Sequence, residues 1–208
     1  MRAAAALIIA AALMAAAPAT GQTPARPGPW VLDIRGVTSA VPTDTTFYPT
    51  LTSSVVPSRG FGVDVGGHVY LFNLGPARVG LGASVMTVRA TANAAATTQA
   101  ESPEPGQRVT LTLRAIAPQV SFNFGSGDGW SYLSAGLGLG SVNTRTENAS
   151  PGEHESGRLR TVNYGGGARW FMTPRLAFGV DLRAYQLAAG DGTPRVSIFA
   201  AGAGLSIR

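Results

Sequence analysis

Apolar and polar residues alternate with a period of two along most of the chain, and this pattern constrains the fold more than any other feature. Within residues 60–72, Phe61 and Val63 share one face while Asp64 and His68 share the other. Such alternation is typical of β-strands whose two faces meet different environments. It recurs near residues 30–35, 60–72, 79–85, 108–124, 133–140, 161–170, 176–185 and 199–208. The spacing therefore predicts an all-β chain of eight strands.

The fourth predicted strand changes phase along its length. Val109, Leu111 and Leu113 occupy odd positions, whereas the apolar residues after Ala115 occupy even positions. A β-bulge produces a slip of this kind, and Pro118 cannot donate a hydrogen bond within a sheet. The pattern predicts a bulge between Ala115 and Pro118.

The connections between the predicted strands alternate between long and short. Long connections lie near residues 40–59 and 90–107, a longer polar one lies near 147–157 and one of intermediate length near 188–194, whereas short turns lie near 73–77, 125–129 and 172–174. Short turns at one end and long loops at the other are typical of outer-membrane barrels, and a Greek-key sandwich gives no reason for them. We expect an eight-stranded antiparallel up-and-down transmembrane β-barrel, closed between its first and last strands. Its apolar face should then point outward to lipid and its polar face into the lumen.

The first residues have the features of a secretory signal peptide. Arg2 supplies a positive charge, residues 3–17 form an uninterrupted apolar run, and Ala17 with Ala19 fits cleavage before Thr20. The run is shorter than the ~20 residues that a membrane-spanning helix needs, which disfavours an N-terminal anchor. We expect a signal peptide over residues 1–19, a short periplasmic segment over 20–29 and the barrel over 30–208.

The composition excludes several classes of protein. The chain has no Cys, which excludes a disulfide scaffold, a cysteine metal site and a thiol enzyme. The formal net charge is +5, and all 16 basic residues are arginines spread along the chain. A nucleic-acid-binding protein usually concentrates such residues in a stripe, so we expect no nucleic-acid partner.

Charged residues on the predicted inner face indicate a salt-bridge network in the lumen. Eight strands enclose a space that side chains nearly fill, and buried charges are costly unless they are paired. We expect the network to close the lumen. The alternative is an anion-preferring pore, because many inward glycines leave room for water. The predicted network consists of Asp33, Arg35, Asp64, Arg114, Arg169, Asp181 and Arg183.

Aromatic residues collect beside the three short turns and at the start of the first strand. Amphipathic rings favour the boundary between membrane and water, so the clustering predicts a girdle on the periplasmic side. The predicted girdle consists of Trp30, Phe72, Phe122, Phe124, Trp130, Tyr132, Trp170 and Phe171.

Two passages carry a family resemblance, GWSYLSAGLGLG at 129–140 and NYGGGARWFMTPRLAFGVDLR at 163–183. They resemble the C-terminal half of the small bacterial outer-membrane β-barrel domain family, which includes barrels similar to OmpA, OmpX and OmpW. The resemblance implies an eight-stranded barrel in the bacterial outer membrane, and such families do not share one activity. The family's C-terminal assembly signal is matched at Gly202, Leu205 and Ile207, although the chain ends in Arg208 instead of an aromatic residue.

No pattern in the sequence indicates a catalytic or metal site. Asp64 and His68 lie about 13 Å apart along a strand at ~3.3 Å per residue, so they do not hydrogen-bond, and we expect a structural His68. The Glu153-His154-Glu155 run has the composition of an acidic loop tip. We therefore expect no cofactor, no metal and no catalytic residue.

The leading functional hypothesis is a non-enzymatic barrel that serves envelope structure or surface contact. The alternatives are a narrow conduit for small or hydrophobic solutes and, less favoured, a lipid-modifying barrel enzyme. We expect a monomer in contact with outer-membrane lipid, assembled with the help of periplasmic chaperones and the barrel-assembly machinery. Its termini should be periplasmic and its long loops extracellular.

Overall fold

β-Strands account for most of the chain in a computed structural model, which describes residues 28–48, 55–93, 107–126, 129–147, 152–190 and 192–208. The predicted signal peptide lies outside these residues. The strands are β1 (Trp30–Ala40), β2 (Arg59–Leu74), β3 (Ala77–Asn93), β4 (Arg108–Ser126), β5 (Gly129–Glu147), β6 (Gly152–Glu155), β7 (Leu159–Phe171), β8 (Leu176–Leu187) and β9 (Val196–Ile207). A short 3-10 turn at Thr45–Phe47 follows β1. Within the described ranges, no helix has the length and apolar character to cross a membrane.

Eight of the strands close into an antiparallel barrel, which confirms the predicted fold. Consecutive strands pair around the wall, and β1 closes it by pairing with β9 from Leu32 opposite Ile207 to Ser39 opposite Ala200. The remaining strand, β6, has four residues and pairs with the last part of β5 outside the eight-stranded wall. The sheet therefore has no free edge along its main wall, as a closed barrel requires.

The two ends of the barrel differ in their connections. At the turn end, β2 passes to β3 through Gly75, whose φ of +57° suits a glycine. The connections at 127–128 and 172–175 lie at the same end, as do the start of β1 and the end of β9. At the loop end lie the strand ends that flank the other connections, which are Ala40 and Arg59, Asn93 and Arg108, Glu147 and Gly152, and Leu187 and Val196.

The outer wall carries a continuous apolar belt around the barrel. Leu137 is 70% exposed and Phe199 is 68% exposed, although both are large apolar residues in mid-strand. The belt also includes Leu32, Ile34, Val63, Val65, Val85, Ile116, Val120, Leu133, Leu139, Val162, Phe178, Leu182 and Leu205. Apolar residues thus face outward and polar residues inward, as in a barrel that crosses lipid.

The predicted bulge between Ala115 and Pro118 is wrong. The register between β3 and β4 runs without a shift from Arg78 opposite Asn123 to Asn93 opposite Arg108. Odd-numbered residues of β4 point inward throughout the strand. The apparent slip arises because β4 passes between two environments, so the apolar residues move from the inner face to the outer face without any change in the backbone. The register does shift in β2, between Tyr70 and Phe72.

Strands β3, β4 and β5 extend beyond the apolar belt at the loop end. They have 17, 19 and 19 residues, whereas β8 and β9 have 12 each. On this extension the outward residues are polar, and together with β6 they form a surface that we call the polar wall. The polar wall includes Arg89, Thr110, Thr112, Arg114, Ser141, Asn143, Arg145, Glu153 and Glu155, which line a groove of about 330 Å³.

Closure of the wall between β1 and β9 can be tested with paired cysteines, because the native chain contains none. Thr38 lies opposite Ala201, and residues opposite each other in antiparallel strands have Cα atoms about 4.5–5.5 Å apart, within disulfide range. Oxidation of Thr38→Cys/Ala201→Cys should join the two strands, as detected by mass spectrometry of proteolytic peptides. Thr38→Cys/Ala200→Cys is the matched control, since Ala200 points into the lumen. Equal cross-linking of both pairs, or of neither, would contradict this seam.

Candidate functional site

The inner face of the barrel is arranged in three layers from the turn end to the loop end. On β1 the inward residues are Val31, Asp33, Arg35, Val37 and Ser39, so an apolar residue precedes the two charges and another follows them. Strands β7 and β8 follow the same order, with Phe171, Arg169 and Leu159 on β7 and Ala177, Asp181 and Leu187 on β8. We call these regions the aromatic cluster, the charged layer and the apolar layer.

Asp33 is the centre of the charged layer. Its carboxylate accepts two hydrogen bonds from Arg169, at 2.8 Å from Nε and 2.7 Å from Nη2. Ser206 donates a third hydrogen bond to the same carboxylate, and Arg35 Nη2 lies 2.8 Å from it. Arg35 also pairs with Asp64 at 2.9 Å. These contacts link β1, β2, β7 and β9, and therefore span the seam at which the barrel closes.

A second group in the charged layer surrounds Asp181 on β8. Arg183 pairs with it at 3.0 Å, and Tyr132 donates a hydrogen bond to it at 2.7 Å. Arg183 also donates to Ser134 and to Asn163. The charged layer thus holds three aspartates and three arginines, and the formal charges of these six side chains cancel.

Tyr132 joins the two groups across the lumen. Its ring lies under the Arg169 guanidinium, with 4.0 Å from the guanidinium carbon to the ring centroid. The ring fits because β7 has a glycine beside it: a Cβ on Gly167 would lie 2.7 Å from the Tyr132 hydroxyl. In the same way, a Cβ on Gly82 would lie 2.6 Å from the His68 ring. These inward glycines make space for large side chains.

Arg114 is not part of the network, and its predicted place in the lumen is wrong. The other six predicted members are buried, whereas Arg114 is exposed on the polar wall. Arg114 lies on an even position of β4, and the even positions of this strand point outward. The predicted bulge puts the even positions of the first half of β4 inside, whereas the continuous register puts them outside.

Three residues of the predicted aromatic girdle lie inside the barrel. Trp130 and Tyr132 are 1% and 3% exposed, and Phe171 packs against Trp130 with ring centroids 4.7 Å apart. Trp130 also makes an edge-to-face contact with Tyr70 at 5.9 Å. Tyr70, Trp130 and Phe171 form the aromatic cluster, which fills the lumen at the turn end. Of the other predicted girdle residues, Phe124 is half-buried on the outer face, and Trp30, Phe72, Phe122 and Trp170 are exposed there.

The C-terminal residue contacts the aromatic cluster. The Arg208 guanidinium lies 4.0 Å from the Phe171 ring centroid and 5.0 Å from that of Trp130, and it donates a hydrogen bond to the Pro174 carbonyl. In the proposed assembly signal, Leu205 and Ile207 face outward in the apolar belt, while Gly202 faces the lumen. Its role in assembly stays a prediction.

The apolar layer closes the lumen toward the loop end. It is a cluster of buried side chains that includes Val37, Met86, Val88, Leu111, Leu113, Val142, Leu159, Tyr185, Leu187 and Ile198. Phe47 and Tyr48, from the connection after β1, pack onto it. Tyr48 donates a hydrogen bond to the Pro42 carbonyl at 2.7 Å, and burial raises the pKa of its hydroxyl.

The two histidines are in settings that do not support acid–base chemistry. His68 is buried in the lumen, and its Nε2 has no hydrogen-bond partner among the residues described. His154 Nε2 lies 3.3 Å from Thr193 Oγ1 at the loop end. On the polar wall, hydrogen bonds from Asn143 and Arg145 lower the pKa of the Glu153 carboxyl. In the described ranges, no three His, Asp or Glu side chains are grouped as a metal site requires.

Several lumen residues were missed by the sequence analysis. Gln119 donates hydrogen bonds to Ser84 at 2.8 Å and to Asn163 at 3.0 Å, and Ser206 bonds to Asp33. These neutral polar residues carry no charge pattern that distinguishes them from surface residues. The one sequence signal that identifies them is their place on the inner face in the period-two alternation of each strand.

Comparison with known proteins identifies the same architecture. A family profile described as the outer membrane protein beta-barrel domain matches residues 3–206. No curated protein sequence matches the chain significantly.

Three solved structures illustrate the likeness. Neisserial surface protein A has a TM-score of 0.55 and 14% identity, with 86% of this chain and 97% of that chain covered. Ail, the attachment invasion locus protein of Yersinia pestis, solved with the heparin analogue sucrose octasulfate, has a TM-score of 0.50, 14% identity and coverage of 85% and 97%. The outer membrane protease OmpT of Escherichia coli has a TM-score of 0.47, 10% identity and coverage of 91% and 99%. At these identities the likeness concerns the fold alone.

The importance of the charged layer can be tested at Asp33. Asp33→Ala removes the partner of Arg169 and leaves that arginine buried and unpaired, which costs about 3–5 kcal/mol. Urea unfolding in detergent micelles should therefore show a large loss of stability. Glu153→Ala is the control, because it breaks the exposed ion pair with Arg145 on the polar wall. This variant should leave the urea concentration at the midpoint of unfolding nearly unchanged. Equal midpoints for the two variants would show that the charged layer does not stabilise the barrel.

Proposed function

Since this chain belongs to the outer membrane protein β-barrel domain family, we propose that it is a non-enzymatic barrel of the bacterial outer membrane that serves envelope structure or surface contact. Proteins of similar fold include one named for the cell surface and one named for attachment. Because the identities are only 14%, the proposal rests on the geometry of this barrel.

The packing of buried side chains across the lumen is the observation that carries the proposal. A solute entering from the turn end would meet Trp130 and then the ion pairs of Asp33 and Asp181. Beyond these lies the apolar layer, in which Leu111 and Leu187 have no exposed surface. Buried ion pairs do not separate cheaply, and an apolar layer disfavours water and ions. A barrel filled in this way is suited to present its surface rather than to conduct.

The conduit alternative gains no support from the inward glycines. Glycines on an inner face can leave room for water, but here the space beside Gly167 is filled by Tyr132 and the space beside Gly82 by His68. A lipid-modifying activity would need a nucleophile, a base and an acid together. His154 approaches Thr193, but no carboxylate in the described part of the chain hydrogen-bonds to its ring.

The asymmetry of the barrel supports an orientation with the loop end at the cell surface. The long connections and the polar wall both lie at the loop end, whereas the start of β1 and the end of β9 lie at the turn end. Short periplasmic turns and longer extracellular loops are the usual arrangement of such barrels. We therefore place the termini in the periplasm and propose a monomer in outer-membrane lipid, assembled with periplasmic chaperones and the barrel-assembly machinery.

Planar lipid bilayers test the closed lumen directly. The wild-type barrel should insert without stepwise ion conductance at moderate voltage, because the charged and apolar layers both block the path. A conducting barrel of known pore size serves as the positive control for insertion. Reproducible single-channel steps from the wild type would contradict the proposal and favour the conduit.

The orientation can be tested with single cysteines and a maleimide that does not cross the outer membrane. Thr45→Cys places a thiol at the loop end, and Pro76→Cys places one at the turn end; both native residues are exposed. Intact cells should label Thr45→Cys only, and Pro76→Cys should react after the outer membrane is permeabilised. The reverse result would invert the orientation while leaving the closed lumen unaffected.

A further inference from the structure

Two arginines on the polar wall have no partner among the residues that the structure describes. Arg89 on β3 and Arg114 on β4 are both exposed, and neither forms a hydrogen bond or an ion pair with any residue in the described ranges. By contrast, Arg145 on the same surface pairs with Glu153 at 3.0 Å, and Arg108 donates to Asn93 at 3.1 Å.

The register places these two guanidinium groups side by side. Arg89 lies opposite Thr112. Arg114 lies two residues after Thr112, on the same face of β4. Diagonal neighbours of this kind have Cα atoms about 7–8 Å apart, within reach of long side chains. Two like charges at this separation repel each other unless an anion lies between them.

Hydroxyl groups surround the pair on both sides. Arg114 lies opposite Thr87 on β3 and opposite Ser141 on β5, and Thr112 lies beside Arg89. Guanidinium groups donate paired hydrogen bonds that match the oxygens of a phosphate, and hydroxyls add single donors. The chemistry of this corner therefore suits a phosphate group.

The apolar belt begins directly next to the arginines. Val85, Ile116 and Leu139 lie opposite one another in a row across β3, β4 and β5, and they are 51%, 53% and 42% exposed. This row is two residues from Arg114, or roughly 7 Å along the strand. The arginines thus lie at the boundary where acyl chains end and headgroups begin.

The acidic residues of the polar wall lie on its far side. Glu155 lies opposite Asn143, which lies opposite Thr112, so β5 lies between Glu155 and the β4 column, and β4 and β5 both lie between Glu155 and Arg89. At about 4.8 Å per strand, Glu155 is roughly 14 Å from Arg89 across the sheet. Glu153 is already paired with Arg145. The β3–β4 side of the groove is therefore the cationic side.

We propose that Arg89 and Arg114 bind the phosphate group of a lipid headgroup in the leaflet that surrounds the loop end. The acyl chains of that lipid lie against Val85, Ile116 and Leu139. The proposal does not depend on which leaflet this is, so it is separable from the orientation and from the closed lumen proposed above.

Native mass spectrometry of the full barrel in maltoside micelles tests the proposal, with phosphatidic acid as the probe and phosphatidylcholine as the comparison lipid. The wild-type barrel should retain phosphatidic acid in preference to phosphatidylcholine. Arg89→Gln/Arg114→Gln should bind it about tenfold or more weakly, because each hydrogen bond to a charged group contributes about 1.5–3 kcal/mol. Arg108→Gln is the matched control, since it removes one arginine from the same face of β4 farther from the belt, and it should bind as the wild type does.

A second variant and a second ligand separate the remaining explanations. Arg89→Lys/Arg114→Lys keeps both charges but loses the paired geometry, so it should bind at an intermediate level. Inorganic phosphate alone should bind the wild type far more weakly than phosphatidic acid, because it cannot contact the apolar row. Equal affinity for free phosphate would overturn the lipid assignment. Unchanged lipid binding in the Gln double variant, or an equal loss in Arg108→Gln, would overturn the site. Heat-dependent gel mobility verifies that each variant is folded.

Discussion

The ion pairs of Asp33 are the interaction on which the rest of the lumen depends. An apolar outer wall forces the polar residues of every strand inward, into a space from which water is largely displaced. Charges there must pair, and Asp33 meets this demand with Arg35 and Arg169 while accepting a hydrogen bond from Ser206. Because these partners come from β1, β7 and β9, the same contacts hold the first and last strands of the barrel near one another.

The strands cross two environments, and this explains the distribution of residues better than a single inside–outside rule. Within the apolar belt the outer face is apolar and the lumen is polar. Beyond the belt the outer face meets water, and the interior becomes apolar, as in a soluble barrel. Along β4 the change occurs near Ala115: Leu111 and Leu113 are buried inside, whereas Ile116 and Val120 are exposed outside. The inward face is the same throughout, and only its chemistry changes.

The two ends of the barrel therefore differ in the chemistry that they present. The turn end is filled by Trp130, Phe171 and Tyr70. The loop end combines an apolar interior with a polar outer wall on which Arg89 and Arg114 have no partner among the described residues. If this protein has a recognition surface, the unpaired charges favour the loop end. The proposed lipid contact would then hold the base of that surface at a fixed depth in the membrane.

The sequence by itself determined the number of barrel strands, their antiparallel order, the closure and the alternation of short turns with longer connections, because a period of two and the connection lengths are local properties. It also identified six of the charged lumen residues, since an isolated charge in an apolar strand is conspicuous. Only the tertiary structure decided the inward direction of Trp130, Tyr132 and Phe171 and the outward direction of Arg114. An aromatic ring suits both a membrane boundary and a packed lumen, and an arginine suits both a salt bridge and a wet surface. Which applies depends on the face of the strand that each residue occupies: Trp130 and Trp170 lie at adjacent register positions at the turn end, yet Trp130 is buried inside and Trp170 is exposed outside. That face follows from the register of neighbouring strands, which in β4 has no bulge.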